Sequence, residues 1–508
     1  MGSKTLKTVA AIALVAVGAP MLGQYAFASA VAYGSSVAVA GTMAFLASTA
    51  VSLVGASLAG SALSPDIPDL GDLSGSDQYA GQKLQASRNN TGTVPIVYGF
   101  HRLAGNVIYQ EANNEYTSDD TAKGYNRDYW AIITLAGHEI NDITDVYADQ
   151  QVLTNISGNI YTNTYHHIKW YNASSTATNI QNVDFVVNDS GDTQAGSTLA
   201  LANAEIPANV AYIAVHQLFD GQQNKNTGLA TMTVDIEGKK IRTFTDANTI
   251  STTTTYSSNP AEIILDVLSE GLSVPDSKID TSTFYTVKTA CNTYGWDCNL
   301  ALIQQANVAS IIQEILSTFR GQIIHSENTW KLKADAKNQT SVTTMTDDDI
   351  VNNTLNMTMR GSKDIFNKVR FKYVNPTDEW LASQVLIEDT DLQDLEGQII
   401  EKILDVKAVT NTTQAEELAE ITLNASRYTE DSSGNRLKQT PLICNFATTI
   451  KHANLEVGDI ITIQHDLLDR DRKFMILSLE TDQSGLIQVS AREYAETHYK
   501  DSSGTYII

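Results

Sequence analysis

The most constraining feature of this chain is an uncharged N-terminal segment. Residues 8–65 contain no Lys, Arg, Asp or Glu, although the whole chain carries a formal net charge of −24. The segment is rich in Ala, Gly, Ser and Val, and Pro20 interrupts it. Because one bilayer span needs about 20 apolar residues, this run is longer than a single span. It is therefore suited to lipid or to a dry protein channel.

Three interpretations of the segment remain open. The first is a secretory signal, with Lys4 and Lys7 as the positive end, an apolar core over Val9–Val17 and a small-residue site ending at Ala30. Against it, the apolar character continues well past Ala30.

The second interpretation is a pair of membrane helices, roughly 8–32 and 37–63. Small residues such as Gly34, Gly41, Gly55 and Gly60 would let two such helices approach closely. The third is an apolar plug buried at the centre of an assembly. The sequence favours the last two over a signal.

Composition limits the class of the remaining chain. A length of 508 residues predicts about three or four domains. The acidic balance argues against nonspecific DNA binding, which requires a basic surface. Abundant Thr, Asn, Asp and Tyr with little Pro favour a β-rich architecture. The three cysteines provide no disulfide framework; Cys291 and Cys298 are close enough in sequence to pair, but buried free thiols are the favoured interpretation.

The pattern divides the chain into five parts: an apolar helical head (1–65), a polar linker (66–92), a first β-rich region (93–250), an α+β middle domain (251–345) and a second β-barrel domain (346–508). In the first β-rich region, strands are predicted on both sides of a turn near His101–Gly105, at Trp130–Leu135 and at Ile143–Tyr147. Residues 155–208 are predicted as an exposed, loop-rich insertion. Residues 243–257 are predicted as a linker.

The middle domain shows clear helix signals. Asn259 is a predicted N-cap, followed by Pro260 at the first helical position and by Glu262, and Gly271 ends the helix. A second helix is predicted from Asn307 to Gly321, followed by a hairpin that turns at 326–328.

The last domain is again rich in strands. Thr413 and Glu416 form a capping pattern that opens a helix reaching about Tyr428. Four alternating segments follow, at 441–450, 455–465, 473–482 and 485–494, and are typical of a small barrel.

No residue pattern predicts catalysis, a cofactor site or a metal site. The Asp347–Asp349 triplet is interpreted as a solvated turn, because adjacent side chains on an extended chain point to opposite faces. His166 and His167 are interpreted as surface-loop residues, and Gly458-Asp459 as a turn. The tryptophans are interpreted as core or interface anchors: Trp130, Trp170, Trp296, Trp330 and Trp380.

The ordered segments of the body resemble siphophage tail-tip hub proteins, relatives of the tip attachment protein J of lambda-like phages. The pattern P-x-x-Y-G-x-x-R-x-x-G is matched by Pro95, Tyr98, Gly99, Arg102 and Gly105. Further resemblance lies in the two middle-domain helices with their hairpin, and in the last helix with the strand at LEVGDIITI. The strand entering the last domain matches at Asn367, Val369, Tyr373, Pro376 and Trp380. The resemblance spans roughly residues 90–500 in the family's order.

This resemblance implies a mainly β, multidomain baseplate-hub-like fold, with two tube-type β-barrels per chain and an α+β middle domain. It implies a non-enzymatic homotrimeric ring at the distal tip of a virion tail, assembled in the host cytoplasm. The implied partners are the distal tail protein ring, the tape-measure protein and a tail fibre or receptor-binding protein. Unlike larger family members, this sequence has no extension after the barrel, so receptor binding is expected on a separate fibre.

Two further expectations depend on the resemblance. Three copies of residues 8–63 are expected to close the tube, and to enter a host membrane when DNA is ejected, with apolar burial of about 25 cal/mol per Å² as the driving force. Acidic charge in the lumen would let DNA pass without specific binding. The rival hypothesis is a secreted or outer-membrane β-rich surface protein with an N-terminal signal.

Overall fold

The computed structural model describes residues 93–113, 128–157, 159–162, 166–171, 210–218, 230–359, 365–468, 470–482 and 485–499, and the backbone of short strands at 12–14, 183–184, 188–189, 192–193 and 198–199. Of the predicted helical head, only β1 (Ile12–Leu14) falls within these residues, and it is a strand. The rest of the head and the 66–92 linker lie outside them.

Two large sheets, of six and five strands, make up most of the first β region. Its strands are β2 (Ile96–Tyr98), β3 (Phe100–Leu103), β4 (Asn106–Asn113), β5 (Asp128–Ala136), β6 (Ile140–Ala148), β7 (Gln151–Val152), β8 (Thr154–Ser157), β9 (Ile160–Thr162), β10 (His166–Tyr171), β11 (Val183–Asp184), β12 (Asn188–Asp189), β13 (Asp192–Thr193), β14 (Thr198–Leu199), β15 (Ala211–Leu218), β16 (Met232–Asp246) and β17 (Thr249–Tyr256). A six-stranded sheet has the order β4-β5-β15-β10-β9-β8. A five-stranded sheet has the order β17-β16-β6-β7, and β3 also pairs with β16.

Alternating apolar side chains place the core of this region between the two sheets. Ile133 of β5 and Val215 of β15 share one apolar cluster with Ile143 of β6 and Val234 of β16. This alternation is the period of a strand with one face toward the core. The predicted strands around Trp130–Leu135 and Ile143–Tyr147 are confirmed.

Two sequence-based expectations for this region differ from the structure. Strands β9 and β10, and all of β8 after Thr154, lie inside the segment 155–208 predicted as an exposed, loop-rich insertion, and β10 pairs with β15 over six residues. The predicted linker at 243–257 is wrong, because it forms the end of β16 and all of β17, which pair as a hairpin.

The middle unit combines helices with a hairpin. Its elements are α1 (Pro260–Asp266), a π-helical turn (Val267–Gly271), a 3-10 turn (Asp276–Lys278), α2 (Thr281–Tyr294), β18 (Leu300–Leu302), α3 (Val308–Ser317), β19 (Gly321–Ser326) and β20 (Thr329–Ala334). The Asn259 side chain accepts a backbone hydrogen bond at the N-terminus of α1, which confirms the predicted N-cap, and Asn307 caps α3 in the same way at the predicted start of that helix. The hairpin turns at Glu327-Asn328, within the predicted range. Strand β19 begins at Gly321, so α3 ends earlier than predicted.

The last part contains a small sheet and a larger one. Its elements are β21 (Ser341–Met345), β22 (Asn356–Met359), β23 (Lys368–Asn375), a 3-10 turn (Pro376–Asp378), β24 (Leu381–Glu388), α4 (Thr390–Glu396), β25 (Glu401–Asp405), α5 (Thr412–Arg427), β26 (Thr429–Glu430), β27 (Arg436–Leu437), β28 (Leu442–Thr448), a 3-10 turn (Ile450–His452), β29 (Ile460–Ile463), β30 (Arg472–Thr481), β31 (Ile487–Glu493) and a 3-10 turn (Glu496–His498). The larger sheet has the order β21-β29-β30-β31-β28-β22, and the smaller has the order β24-β23-β25.

The fold is mainly β, as predicted, with helices concentrated in the middle of the chain. Helix α5 packs on β23 and β24, and Phe371, Leu404 and Leu418 belong to the same apolar core as Ile264 of α1. The middle helices and the small sheet therefore share one core. The larger C-terminal sheet has a separate core that includes Phe446 and Phe474.

Candidate assembly surfaces

In the Asp347–Asp349 triplet before β22, the last carboxylate is buried and the first two residues are exposed. Asp349 is buried, and its Oδ1 accepts a hydrogen bond from Lys451 Nζ at 2.5 Å and lies 3.0 Å from His452 Nε2. Hydrogen bonds from Lys451 and His452 hold the pKa of Asp349 well below its usual range. The prediction of a solvated turn is therefore wrong for Asp349, because its partners lie about a hundred residues further along the chain. The Asp347 side chain is 59% exposed.

His166 does not lie in a surface loop. It is buried in β10, opposite Gln217 of β15, and burial lowers its pKa. The surface-loop prediction is wrong for this residue. His167 pairs through its backbone with Thr162 and His216.

The three cysteines are free and buried, which confirms the favoured interpretation of Cys291 and Cys298. Burial raises the pKa of all three thiols, so they carry little thiolate at neutral pH. Within the described part of the chain, no group of three or more His, Cys, Asp or Glu side chains is arranged to hold a metal ion. Among those same residues, no helix has the length and apolarity that crossing a bilayer requires.

Four of the five tryptophans are buried in the packed body of the protein: Trp130, Trp296, Trp330 and Trp380. Trp170 is half-buried and packs against the core of the first β region. The Trp130 ring stacks on His216, with 4.0 Å between ring centroids. These positions agree with the interpretation of the tryptophans as packing anchors.

The glycines of the Pro95–Gly105 motif allow close backbone contacts. Gly99 has a φ of +66°, and a Cβ there would lie 2.5 Å from the Cys298 carbonyl oxygen. Gly105 has a φ of +69°, and its Cβ would lie 2.5 Å from the Thr134 carbonyl oxygen. A side chain at either position would be strained and would collide with backbone.

The polar residues of the motif join this segment to its surroundings. Tyr98 Oη donates a hydrogen bond to Asp266 Oδ2 of α1 at 2.7 Å. Arg102 forms a two-point ion pair with Asp235 of β16, at 2.5 and 2.6 Å, and its guanidinium lies 3.8 Å from the centre of the Tyr147 ring. The motif thus fixes β2 and β3 against both the five-stranded sheet, through Asp235 of β16, and the middle unit, through Asp266 of α1.

A second junction links the first β region to the small sheet. Trp380 stacks on His101, with 4.6 Å between ring centroids, and is buried despite a φ of +63°. Burial lowers the pKa of His101 to about 4, so this ring is neutral at neutral pH. Asn299 accepts a hydrogen bond from the Phe100 amide at 2.7 Å and donates one to Thr410 Oγ1 at 2.6 Å.

The most highly charged junction lies between the middle hairpin and the larger C-terminal sheet. Asp335 accepts hydrogen bonds from Arg320 at 2.5 Å, from Arg492 at 2.6 Å and from the Tyr499 hydroxyl. All four side chains are largely buried. Burial alone would raise the pKa of Asp335, but Arg492 and Arg320 hold it well below its ordinary value of 3.8.

The Gly458-Asp459 turn has a packing role as well as turn chemistry. Gly458 has a φ of +79°, which suits glycine. Asp459 Oδ1 accepts a hydrogen bond from Lys333 of β20 at 2.6 Å, and Lys331 forms a 2.5 Å ion pair with Glu456. The turn before β29 is therefore docked on the hairpin.

Glu314 of α3 is a buried carboxylate in the middle unit. One oxygen accepts a hydrogen bond from the Ala408 amide at 2.9 Å, and burial raises its pKa to about 7. Its other oxygen has no hydrogen-bond partner in the described structure. Because Glu314 is only 1% exposed, this carboxylate lies in the interior and not at an accessible site.

The surface feature that remains is a set of uncharged sheet edges. Strand β17 ends one sheet, the 151–157 corner contains the end strands of two sheets, and β21 and β22 end the larger C-terminal sheet. None of these four segments contains a charged residue. Exposed apolar side chains lie on three of them: Val152, Ile156, Val342 and Met359.

The small sheet has edges of the opposite kind. Its end strands carry Glu388 on β24 and Glu401 and Asp405 on β25, and the exposed Leu386 and Ile403 lie beside Arg370. Charged side chains are a common protection of sheet edges against pairing. The four uncharged segments, β17, 151–157, β21 and β22, lack this protection. They were not singled out from the sequence, although each is visible in it as a short run without charged residues.

Comparison with known proteins relates part of this chain to one protein family. Residues 307–479 match a family model described as "Putative phage tail protein". No curated protein matches the sequence.

Solved structures add a likeness of fold. A chain of the virion of a native gene transfer agent particle is similar with a TM-score of 0.54 and 15% identity, over 83% of this chain and 89% of that one. A tail protein from Neisseria meningitidis MC58 has a TM-score of 0.26 and 8% identity, over 72% and 87%. The prophage tail protein gp18 from Listeria monocytogenes EGD-e has a TM-score of 0.27 and 7% identity, over 79% and 95%. The family match supports a phage tail protein, and the first of these structures shows a similar fold.

Proposed function

We propose that this chain is the hub of a siphophage tail tip. Three copies form a ring that closes the distal end of the tail tube. The ring joins the distal tail protein, the tape-measure protein and the tail fibres or receptor-binding protein, and it opens when DNA is ejected. The observation that carries the proposal is the tail-protein match at 307–479, together with a virion chain of similar fold over 83% of this chain.

The fold supports a structural role within an assembly. Two β regions flank the middle unit, and both present uncharged end strands. The buried ion pairs and thiols lie inside the packed body, where they serve stability. Open edges of this kind suit a ring component, because a neighbouring copy can complete the sheets there.

Location within the particle tests this proposal directly. An epitope tag can be placed at Ser433, in the exposed turn between β26 and β27, where a short insertion disturbs little packing. Gold-labelled antibody should decorate intact virions at the distal end of the tail. Labelling along the tail shaft or at the head would contradict a tip hub.

The apolar head has a role in this proposal. We expect residues 8–63 of three copies to fill the tube lumen and then to enter a host membrane at ejection. Deletion of 1–63 should leave tails that assemble but leak DNA or fail to infect, which particle counts and plaque assays measure together. Normal infectivity of the deletion would refute this role for the head.

A further inference from the structure

The end strand β17 has an unusual edge for a protein of this charge. It runs over Thr249–Tyr256 with the sequence TISTTTTY, and Thr252 to Thr255 are exposed. Exposed edge strands are usually protected by charged residues, by proline or by a covering segment. This strand has no charged residue or proline, and within the described residues no strand other than β16 pairs with it. Its ladder with β16 has two irregularities, one between Arg242 and Phe244 and one between Phe244 and Asp246, and the paired stretch from Thr254 to Tyr256 is regular.

The neighbouring strand of the same hairpin is protected by side chains. The Phe244 amide of β16 donates a hydrogen bond to Glu262 Oε1 at 3.0 Å, and Lys288 Nζ donates one to the Phe244 carbonyl oxygen at 2.6 Å. Arg242 is held by Asp276 through two hydrogen bonds. Charged groups from the middle unit thus satisfy the backbone on the β16 side, while β17 is left open.

We propose that β17 is the strand through which neighbouring copies of this chain join, by pairing edge to edge with a strand of a second copy. The proposal rests on the trimeric ring proposed above and identifies the contact between neighbouring subunits, which we call the seam. Charge favours this occupant: two copies that each carry a net charge of −24 repel, and they approach at lowest cost where both surfaces are uncharged.

The symmetry of a ring limits which strand of the second copy can pair with β17. A closed ring of three requires two different surfaces at each contact, whereas pairing of β17 with itself would give a two-fold dimer. In the described part of the chain, the other uncharged ends of the sheets with five or more strands are the 151–157 corner, β21 and β22. These are the edges at which pairing with β17 would continue one large sheet into another, and the partner of β17 is one of them.

Disulfide trapping tests the seam in the full-length chain. Thr254→Cys is combined in turn with Val152→Cys, Val342→Cys or Met359→Cys; the native cysteines are buried and give little background. After mild oxidation, one double variant should form covalent species of up to three chains, and Thr254→Cys alone should form none. Covalent dimers from Thr254→Cys alone would overturn the proposal.

A charge variant covers the case in which the chosen sulfurs lie too far apart. Thr254→Asp should raise the concentration at which trimers dissociate by about tenfold or more, since it places a like charge in the seam. Thr289→Asp, on an exposed position of α2, makes the same charge change and should leave the trimer intact. Mass photometry measures both.

The outcomes separate the seam from the ring. A trimeric wild-type chain with no cross-link and an unaffected Thr254→Asp variant would overturn the β17 seam and leave the hub proposal standing. A wild-type chain that is monomeric at every concentration would overturn both.

Discussion

At the scale of single residues, two glycines, one in the first β region and one in the middle unit, show how close contacts set sequence requirements. Gly99 and Gly295 have nearly the same positive φ, +66° and +68°. A Cβ at Gly295 would meet no atom within 4 Å, whereas one at Gly99 would meet Asn299 and the Cys298 carbonyl. A side chain at either position would therefore meet the same backbone strain, and the two positions differ only in the room available for a Cβ atom.

This pair gives a matched prediction. Gly295→Ala should lower the free energy of unfolding by about 1 kcal/mol, the cost of a left-handed alanine. Gly99→Ala should cost about 3 kcal/mol or more, because overpacking adds to that strain. Urea unfolding of both variants measures the difference. Equal costs would show that the contact with Asn299 and Cys298 relaxes freely.

The buried Asp335 gives a second residue-scale prediction. Asp335→Asn leaves Arg320 and Arg492 without a countercharge and should lower the free energy of unfolding by about 3–5 kcal/mol at neutral pH. Asp276→Asn, which breaks the exposed pair with Arg242, should cost at most about 1 kcal/mol.

The pH dependence of this variant has a definite sign. Because the pKa of Asp335 is depressed in the folded state, its contribution is present above the ordinary aspartate value of 3.8 and is lost as the pH falls below it. The gap between wild type and Asp335→Asn should therefore narrow below about pH 4. A gap that stays constant in acid would contradict the assigned ionisation.

At the scale of elements, local signals were readable in the sequence and distant ones were not. The cap at Asn259 and the helix start at Asn307 were predicted, because each side chain acts on the backbone two residues later. Helix α2 had no such prediction, because its buried side chains are only Phe284, Val287 and Cys291 among many Thr and Ser. Strand β17 resembled a linker because its side chains are mostly exposed and polar on both faces.

The caps at Asn259 and Asn307 differ in their surroundings, which gives an element-scale prediction. Asn307→Ala removes a cap and should cost about 1 kcal/mol of unfolding free energy. Asn259 also donates to the Lys288 carbonyl and to Asn292, which tie α1 to α2. Asn259→Ala should therefore cost roughly 1 kcal/mol more than Asn307→Ala, since a further buried hydrogen-bond network is lost. Identical costs in thermal or urea unfolding would contradict the tie between the helices.

At the scale of the whole molecule, the mainly β class with a group of helices was predictable, and the joints between distant segments were not. The division of the chain into domains stays a prediction. The joints depend on partners far apart in the chain, such as Asp335 with Arg492, or His101 with Trp380. Single-sequence patterns carry no record of such pairs, and for the same reason the burial of Asp349 and His166 was missed.

The open sheet edges also acquire meaning only at this scale. An isolated chain gains nothing from an exposed, uncharged end strand, which invites nonspecific pairing. The same strand is useful when a fixed number of copies completes the sheet and leaves no edge. The acidic charge of the chain then limits pairing to the uncharged seams.

The central claim is that this chain is a ring component, and its symmetry in solution tests that claim most directly. The full-length chain, purified in mild detergent, can be imaged by electron microscopy and sorted into class averages. The account predicts threefold rings with a central channel. A stable monomer with no hollow assembly at micromolar concentration would contradict it.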